Sequence, residues 1–266
     1  MPPLSDNQID LIARKVLESF GSQKAPASSV AMPELTYGIF TTIDDAVKAA
    51  DIAQKKLMEL TLETRERIIA NIRKVMMEYA DELAREAWEE TKLGRYEDKI
   101  EKNKLVINKT PGIEDLQATA WSGDRGLTLV ERAPFGEIGA LTPCTNPTST
   151  IICNTIGMVA AGNSVVFNVH PTAKKVSVKT VAILNEAIMA AGGPPHLVTT
   201  IVEPTIPSAQ QLMTHPGIRI LVVTGGGAVV KAAMSSGKRA ICAGPGNPPV
   251  VVDESADIDK AATNII

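Results

Sequence analysis

An α/β fold is what this chain predicts: an open parallel sheet with helices on both faces, preceded by a helical segment. Three observations predict it. From Glu131 onward, short apolar runs alternate with segments of helix length, joined by brief turns. The apolar content, 44% of 266 residues, is mostly Ala, Val, Ile and Leu, with aromatics at only 3%. That composition suits buried parallel strands and closely packed helices better than an aromatic-rich sandwich. Finally, the turns that follow the apolar runs carry the proline, glycine and polar residues expected where a strand hands over to a helix.

The elements follow in order. Leu4–Phe20 reads as a small amphipathic helix, with Ser5 as N-cap and Ile9, Ile12, Val16 and Phe20 at helical spacing. Gly21 ends it, and residues 21–33 have the composition of a linker. The helix either docks onto another molecule or folds back on its own domain, which is expected to run from 34 to 266. Asp44 to Lys109 reads as helical and highly charged. Ala46, Ala49, Ala50 and Ala53 form a small-residue face, and Ile68, Ile69, Ile72, Val75, Met76 and Leu83 an apolar stripe. Arg65, Glu66, Arg67, Lys74 and Glu78 are expected to point outward, as ordinary solvated helix faces without chemistry. Trp121–Arg132, punctuated by Gly123 and Gly126, predicts a hairpin or crossing strand.

Strands are then expected at Ile138–Leu141, Ser164–Asn168, Val198–Val202 and Arg219–Thr224. Helices near Thr148–Ala161, Ala173–Ala191 and Pro207–Thr214 separate them. A further helix, Gly226–Ser236, leads to short strands at Arg239–Ala243 and Val250–Val252.

Several function classes lose support at this stage. The net charge of −3, with no basic stripe interleaved with aromatics, makes no case for nucleic acid. No apolar run approaches bilayer-spanning length, and the N-terminus lacks a signal-peptide pattern. Three cysteines (Cys144, Cys153, Cys242) form neither a disulfide framework nor a CxxC pair, which suits a reducing, cytoplasmic setting. All three read as buried small hydrophobes. His170, His196 and His215 lack ligand spacing, so no metal site is expected.

Four loops fall at the carboxyl ends of the predicted strands: Thr142–Pro147, Val169–Lys175, Glu203–Pro207 and Thr224–Gly227. In an open α/β sheet that edge is where ligands bind. The first loop carries Thr142, Pro143, Cys144, Thr145 and Asn146, a thiol, an amide and hydroxyls between two prolines. In the second, Pro171 and Thr172 start a helix whose free N–H groups would attract oxygen ligands, with His170 and Lys174 in reach of a ribose or phosphate. The fourth places Gly225, Gly226 and Gly227 between strand and helix, where missing side chains let the backbone approach a diphosphate. It has neither GxGxxG nor GxxxxGK[ST] spacing.

Taken together, Pro143-Cys-Thr-Asn-Pro-Thr-Ser-Thr, Gly162-Asn-Ser-Val-Val-Phe, His170-Pro, Thr224-Gly-Gly-Gly and Ala243-Gly-Pro-Gly-Asn-Pro-Pro resemble the aldehyde dehydrogenase superfamily, specifically its CoA-acylating branch. The resemblance covers residues 34–266 and implies an atypical Rossmann-like sheet binding NAD. It implies cofactor contacts from Thr142, Pro143, Cys144, Thr145, His170, Pro171, Thr224, Gly225, Gly226, Gly227 and Gly244. It also implies that Asn146 donates its side-chain amide to the oxyanion, a contribution on the order of 3 kcal/mol.

Hydrolytic members carry a glutamate in the turn that matches Ala243–Asn247, whereas this chain has no carboxylate between Gly225 and Val252. Without that base a thiol acceptor, coenzyme A, wins over water. The family's nucleophilic cysteine lies beyond the position that matches Ile266, and Cys144 does not match it.

The N-terminal helix and linker resemble the encapsulation peptides of microcompartment cargo enzymes, which implies a shell protein as partner for residues 4–20. The expected parent is then an oligomeric acylating dehydrogenase of the ethanolamine- or propanediol-utilisation type, acting on acetaldehyde or propionaldehyde inside a bacterial microcompartment. A binding or cargo module without catalysis is the competing expectation. A phosphate-activated semialdehyde reductase is disfavoured, because no basic cluster awaits an acyl phosphate.

Overall fold

The structure, a computed structural model, describes residues 38–244, 246 and 249–265. The helix expected at 4–20 and the linker at 21–33 lie outside the described residues.

The charged N-terminal stretch folds as four helices: α1 (Ile43–Met58), α2 (Leu62–Glu78), α3 (Ala80–Thr91) and α4 (Tyr96–Lys109). Local sequence sets their ends. Thr42 caps α1, its hydroxyl accepting from Asp45 N at 3.1 Å, and Thr61 caps α2 in the same way. In α1, Asp44 and Asp45 sit in the first turn and Lys55 and Lys56 in the last, each complementing the helix dipole. α3 stops at Lys92, which takes a left-handed conformation at φ 55°.

The core is a six-stranded parallel sheet in the order β1-β6-β5-β4-β7-β8. Its strands are β1 (Ile39–Phe40), β4 (Glu137–Leu141), β5 (Ser164–Asn168), β6 (Val198–Ile201), β7 (Ile220–Thr224) and β8 (Ala240–Ala243). The four predicted principal strands are present within a residue or two. The crossovers are α5 (Pro147–Ala160), α6 (Lys174–Ala190), α7 (Ile206–Thr214) and α8 (Gly227–Met234), and a last helix α9 spans Ile258–Ile265.

Alternation along the strands divides the core in two. Ala140, Val165 and Phe167 face a layer of α2, α3, α5 and α6 that includes Ile68, Ile72, Ile151 and Leu184. Leu141, Val166 and Val223 face α1, α7 and α8, with Ile43, Val47, Leu212 and Ala233. The chain runs outward from β4 through β5 to β6, then returns to the other side of β4 as β7. The carboxyl ends of β4, β5 and β7 therefore frame a topological switch point.

Trp121–Arg132 resolves into an antiparallel hairpin, β2 (Thr119–Gly123) and β3 (Gly126–Val130), exposed along its whole length. Val250–Val252 does not form the expected strand. All three residues are exposed and pair with no strand among the described residues, and β-propensity alone does not satisfy a ladder. The cysteines are half-buried rather than enclosed. Among the described residues no helix is long and apolar enough to cross a membrane, and no cluster of His, Cys, Asp or Glu could hold a metal.

Candidate functional site

A cavity of about 610 Å³ opens along the carboxyl edge of the sheet. Five strand ends build it: residues 141–146 after β4, 168–171 after β5, 205–206 after β6, 224–226 after β7 and 243–244 after β8. Of the residues predicted for this site, Thr142, Pro143, Cys144, Thr145, Asn146, His170, Pro171, Thr224, Gly225, Gly226 and Gly244 line the cavity. Gly227 does not; it is the first residue of α8, and Ala228 and Val229 line the wall in its place. The Thr142 hydroxyl is buried and has no hydrogen-bond partner among the described residues. Cys144 lines the cavity and also packs against the larger core cluster, which accounts for its half-burial.

The turn at Asn146 is held from outside. Asn146 is the N-cap of α5, so the helix starts one residue before the Thr148 expected from sequence, with Pro147 at its first position. Its side chain makes no capping bond. Instead Lys102 donates from Nζ to Asn146 Oδ1 at 3.2 Å, and Lys99 donates to Thr145 O at 2.8 Å. One position along α4, Asn103 accepts from Thr148 Oγ1 at 2.9 Å and donates to Ala80 O.

These three residues sit at i, i+3 and i+4 on one helix face, where side chains converge. The expectation of outward-facing charges fails for Arg65, which is buried in α2 and donates to Ala160 O at 3.3 Å; on α4, where the sequence singled out no residue, Lys99 and Lys102 meet the turn. Helical spacing in the sequence could mark the shared face, but not which loop it meets. Lys99 is buried, and desolvation pushes its pKa down, helped by the neighbouring Lys102 and opposed by Cys144.

The second loop also differs from expectation. The N–H groups of Lys175 and Val176, in the first turn of α6, donate to the two carboxylate oxygens of Glu90 on α3, at 2.9 and 2.8 Å. The helix N-terminus that the sequence offered to a phosphate is thus filled by a carboxylate of the same chain. Lys174 is committed as well, paired with Glu203. His170 turns inward on its own loop, its Nδ1 lying 2.9 Å from Thr172 Oγ1 and accepting from Thr172 N. Desolvation pushes its pKa down, so the ring is neutral near pH 7. Behind it, Ser208 donates to Asn168 Oδ1 at 2.6 Å, fixing the amide of a cavity-lining residue.

The glycine loop before α8 remains open. No side chain caps α8. A Cβ on Gly225 would lie 2.6 Å from Val229 Cγ1, so packing within the protein requires that glycine. Gly226 and Gly227 are different: a Cβ there would meet no atom of the described residues within 4 Å, and neither has a positive φ. Their small size answers no need of the described structure and leaves the loop and the helix N-terminus accessible from the cavity.

A switch-point cavity, an amide-bearing turn after the central strand and an open glycine loop before a helix together form the edge at which open α/β sheets take their ligands. The aldehyde dehydrogenase family model matches residues 21–266, and the chain belongs to that family. Several of its relatives within the family are acylating enzymes. The acetylating acetaldehyde dehydrogenase EutE of Escherichia coli (strain K12) is 47% identical over 264 residues, 99% of this chain and 55% of that protein.

A propionaldehyde dehydrogenase from the fucose-utilisation microcompartment of Clostridium phytofermentans superposes with a TM-score of 0.80 at 54% identity, covering 86% of this chain and 53% of that one. An engineered glycolyl-CoA reductase with bound NADP+ superposes at 0.81 with 51% identity, covering 88% and 53%. The chain spans about half the length of the curated relatives it matches.

Proposed function

We propose that the cavity binds NAD(H), and that this chain is the cofactor-binding portion of a CoA-acylating aldehyde dehydrogenase. The overall reaction would convert a small aldehyde, acetaldehyde or propionaldehyde, with CoA and NAD to acyl-CoA and NADH. The observation that carries the reading is the loop at Gly226 and Gly227, which is open although neither backbone conformation nor packing demands glycine. The uncapped N-terminus of α8 beside it suits a diphosphate, whereas Glu90 already occupies that of α6.

When bound, NAD supplies the hydride acceptor. The chain's own residues position and polarise. The turn from Thr142 to Asn146 would floor the nicotinamide end, and Asn146 Nδ2 would donate to the oxyanion that develops on the substrate carbonyl. Among the described residues no carboxylate lines the cavity to activate water, which favours coenzyme A as acyl acceptor. The microcompartment origin of the fucose-utilisation relative supports encapsulation of this protein, with residues 4–20 docking to a shell protein and a homo-oligomer as the working form.

The test is an assay of the full gene product with aldehyde and NAD. Rapid NADH formation should require CoA; equal rates without CoA, yielding free acid, would refute the acylating assignment. The competing reading, a nucleotide-binding or cargo module without catalysis, draws on Cys144 being the only thiol lining the cavity among the described residues. Under that reading the full gene product binds NADH yet forms none from aldehyde.

A further inference from the structure

We infer that Lys102 is a positioning residue that turns the Asn146 amide so that its Nδ2 group faces the reacting carbonyl. This rests on the oxyanion role given to Asn146 above. An ammonium group can only donate, so its 3.2 Å bond to Asn146 obliges the amide to present its oxygen to Lys102 and its NH2 the other way.

An N-cap asparagine ordinarily folds back to accept from the N–H groups of its own helix. Asn146 does not, so α5 forgoes a cap that its first residues could have had. Among the described residues Asn146 Nδ2 makes no hydrogen bond, and the residue lines the cavity. Its backbone is fixed independently: Asn146 O accepts from Thr150 N at 3.1 Å and from Thr150 Oγ1 at 2.7 Å. Lys99 holds Thr145 and Asn103 holds Thr148, so among the described residues the Asn146 amide is held by Lys102 alone. The positive charge at Oδ1 also polarises the amide and strengthens the Nδ2–H donor.

The experiment compares K102M, K102R, N146A and K102M/N146A in the full gene product with saturating NAD and CoA. K102M should lower kcat by roughly tenfold or more, within the range seen on loss of an oxyanion donor. The KM for aldehyde and the affinity for NADH should stay as in the parent protein, and K102R should restore most of kcat. The double variant should be no slower than N146A, because Lys102 acts only through Asn146. A K102M loss that persists in the N146A background, or no loss at all, overturns the inference.

If N146A itself keeps full kcat, the oxyanion role of Asn146 is what fails. The orientation can be read without catalysis on this chain. The Asn146 side-chain NH2 resonances, identified by their absence in N146A, should shift with K102M and not with K104M. Identical resonances in K102M would overturn the inference even in an inactive preparation.

Discussion

The Val176 N–H donates to Glu90 at 2.8 Å, so a carboxylate from α3 caps a helix eighty-six positions further along the chain. The companion bond from Lys175 makes the cap two-pronged. It joins the helical layer to the loop that carries His170, and it closes to external anions a helix end that otherwise would attract them. Around it, Lys179 of α6 pairs with both Glu82 and Glu86, reinforcing the same contact between α3 and α6.

Glu90→Ala should therefore act on stability. Losing a helix cap together with its charge–dipole interaction is expected to cost about 1–2 kcal/mol. Denaturant unfolding should show a lower midpoint with an unchanged slope. NADH affinity should fall less than twofold, since the diphosphate is assigned to α8.

Two glycines separate ligand from fold. Gly226→Leu introduces a side chain whose Cβ would meet no atom of the described residues within 4 Å. Its melting temperature should match the parent's, while NADH binding should weaken by about tenfold or more, on the order of 1.4 kcal/mol. Gly162→Ala should do the reverse. Gly162 has φ +85°, and its new Cβ would lie 3.1 Å from Met58 Sδ. It should lose about 1 kcal/mol or more of stability with NADH affinity retained.

At the opposite, amino edge of the sheet, Glu137 supplies a pH dependence of stability. Burial pushes its pKa up, with Asp51 of α1 adding to the effect and Arg219, at 3.6 Å, opposing it. Asp51 is held low, chiefly by its bond to Lys55. A raised carboxyl favours the folded state below the ordinary glutamate range, and that contribution is lost as pH rises through its folded value. Asp51 contributes with the opposite sign, its share being lost only as pH falls through its depressed value. Glu137→Gln should thus gain stability relative to the parent as pH climbs from the ordinary glutamate range toward neutrality, read by unfolding at a series of pH values.

How much of this was legible in the sequence follows from the range of the interactions involved. The strands at Ile138, Ser164, Val198 and Ile220 were legible because apolar runs between glycine and proline turns are a local signal. The cavity was legible at the level of loops, because parallel strands with right-handed crossovers put all their carboxyl ends on one edge. The helix expected from Gly226 begins at Gly227, since three consecutive glycines do not reveal where it starts.

Lys99, Lys102 and Glu90 were not legible. Each reads locally as one more charge on a solvated helix, and its partner lies between forty-four and eighty-six positions away. Val250–Val252 shows the converse error, a strand propensity with no neighbouring strand to satisfy it.

Titration of this chain with NADH, followed by nicotinamide fluorescence and calorimetry, tests the central claim most directly. The account predicts saturable one-to-one binding that NAD displaces and that Gly226→Leu weakens without altering the melting temperature. Absence of saturable binding by the folded chain, or binding of equal strength in Gly226→Leu, would contradict it.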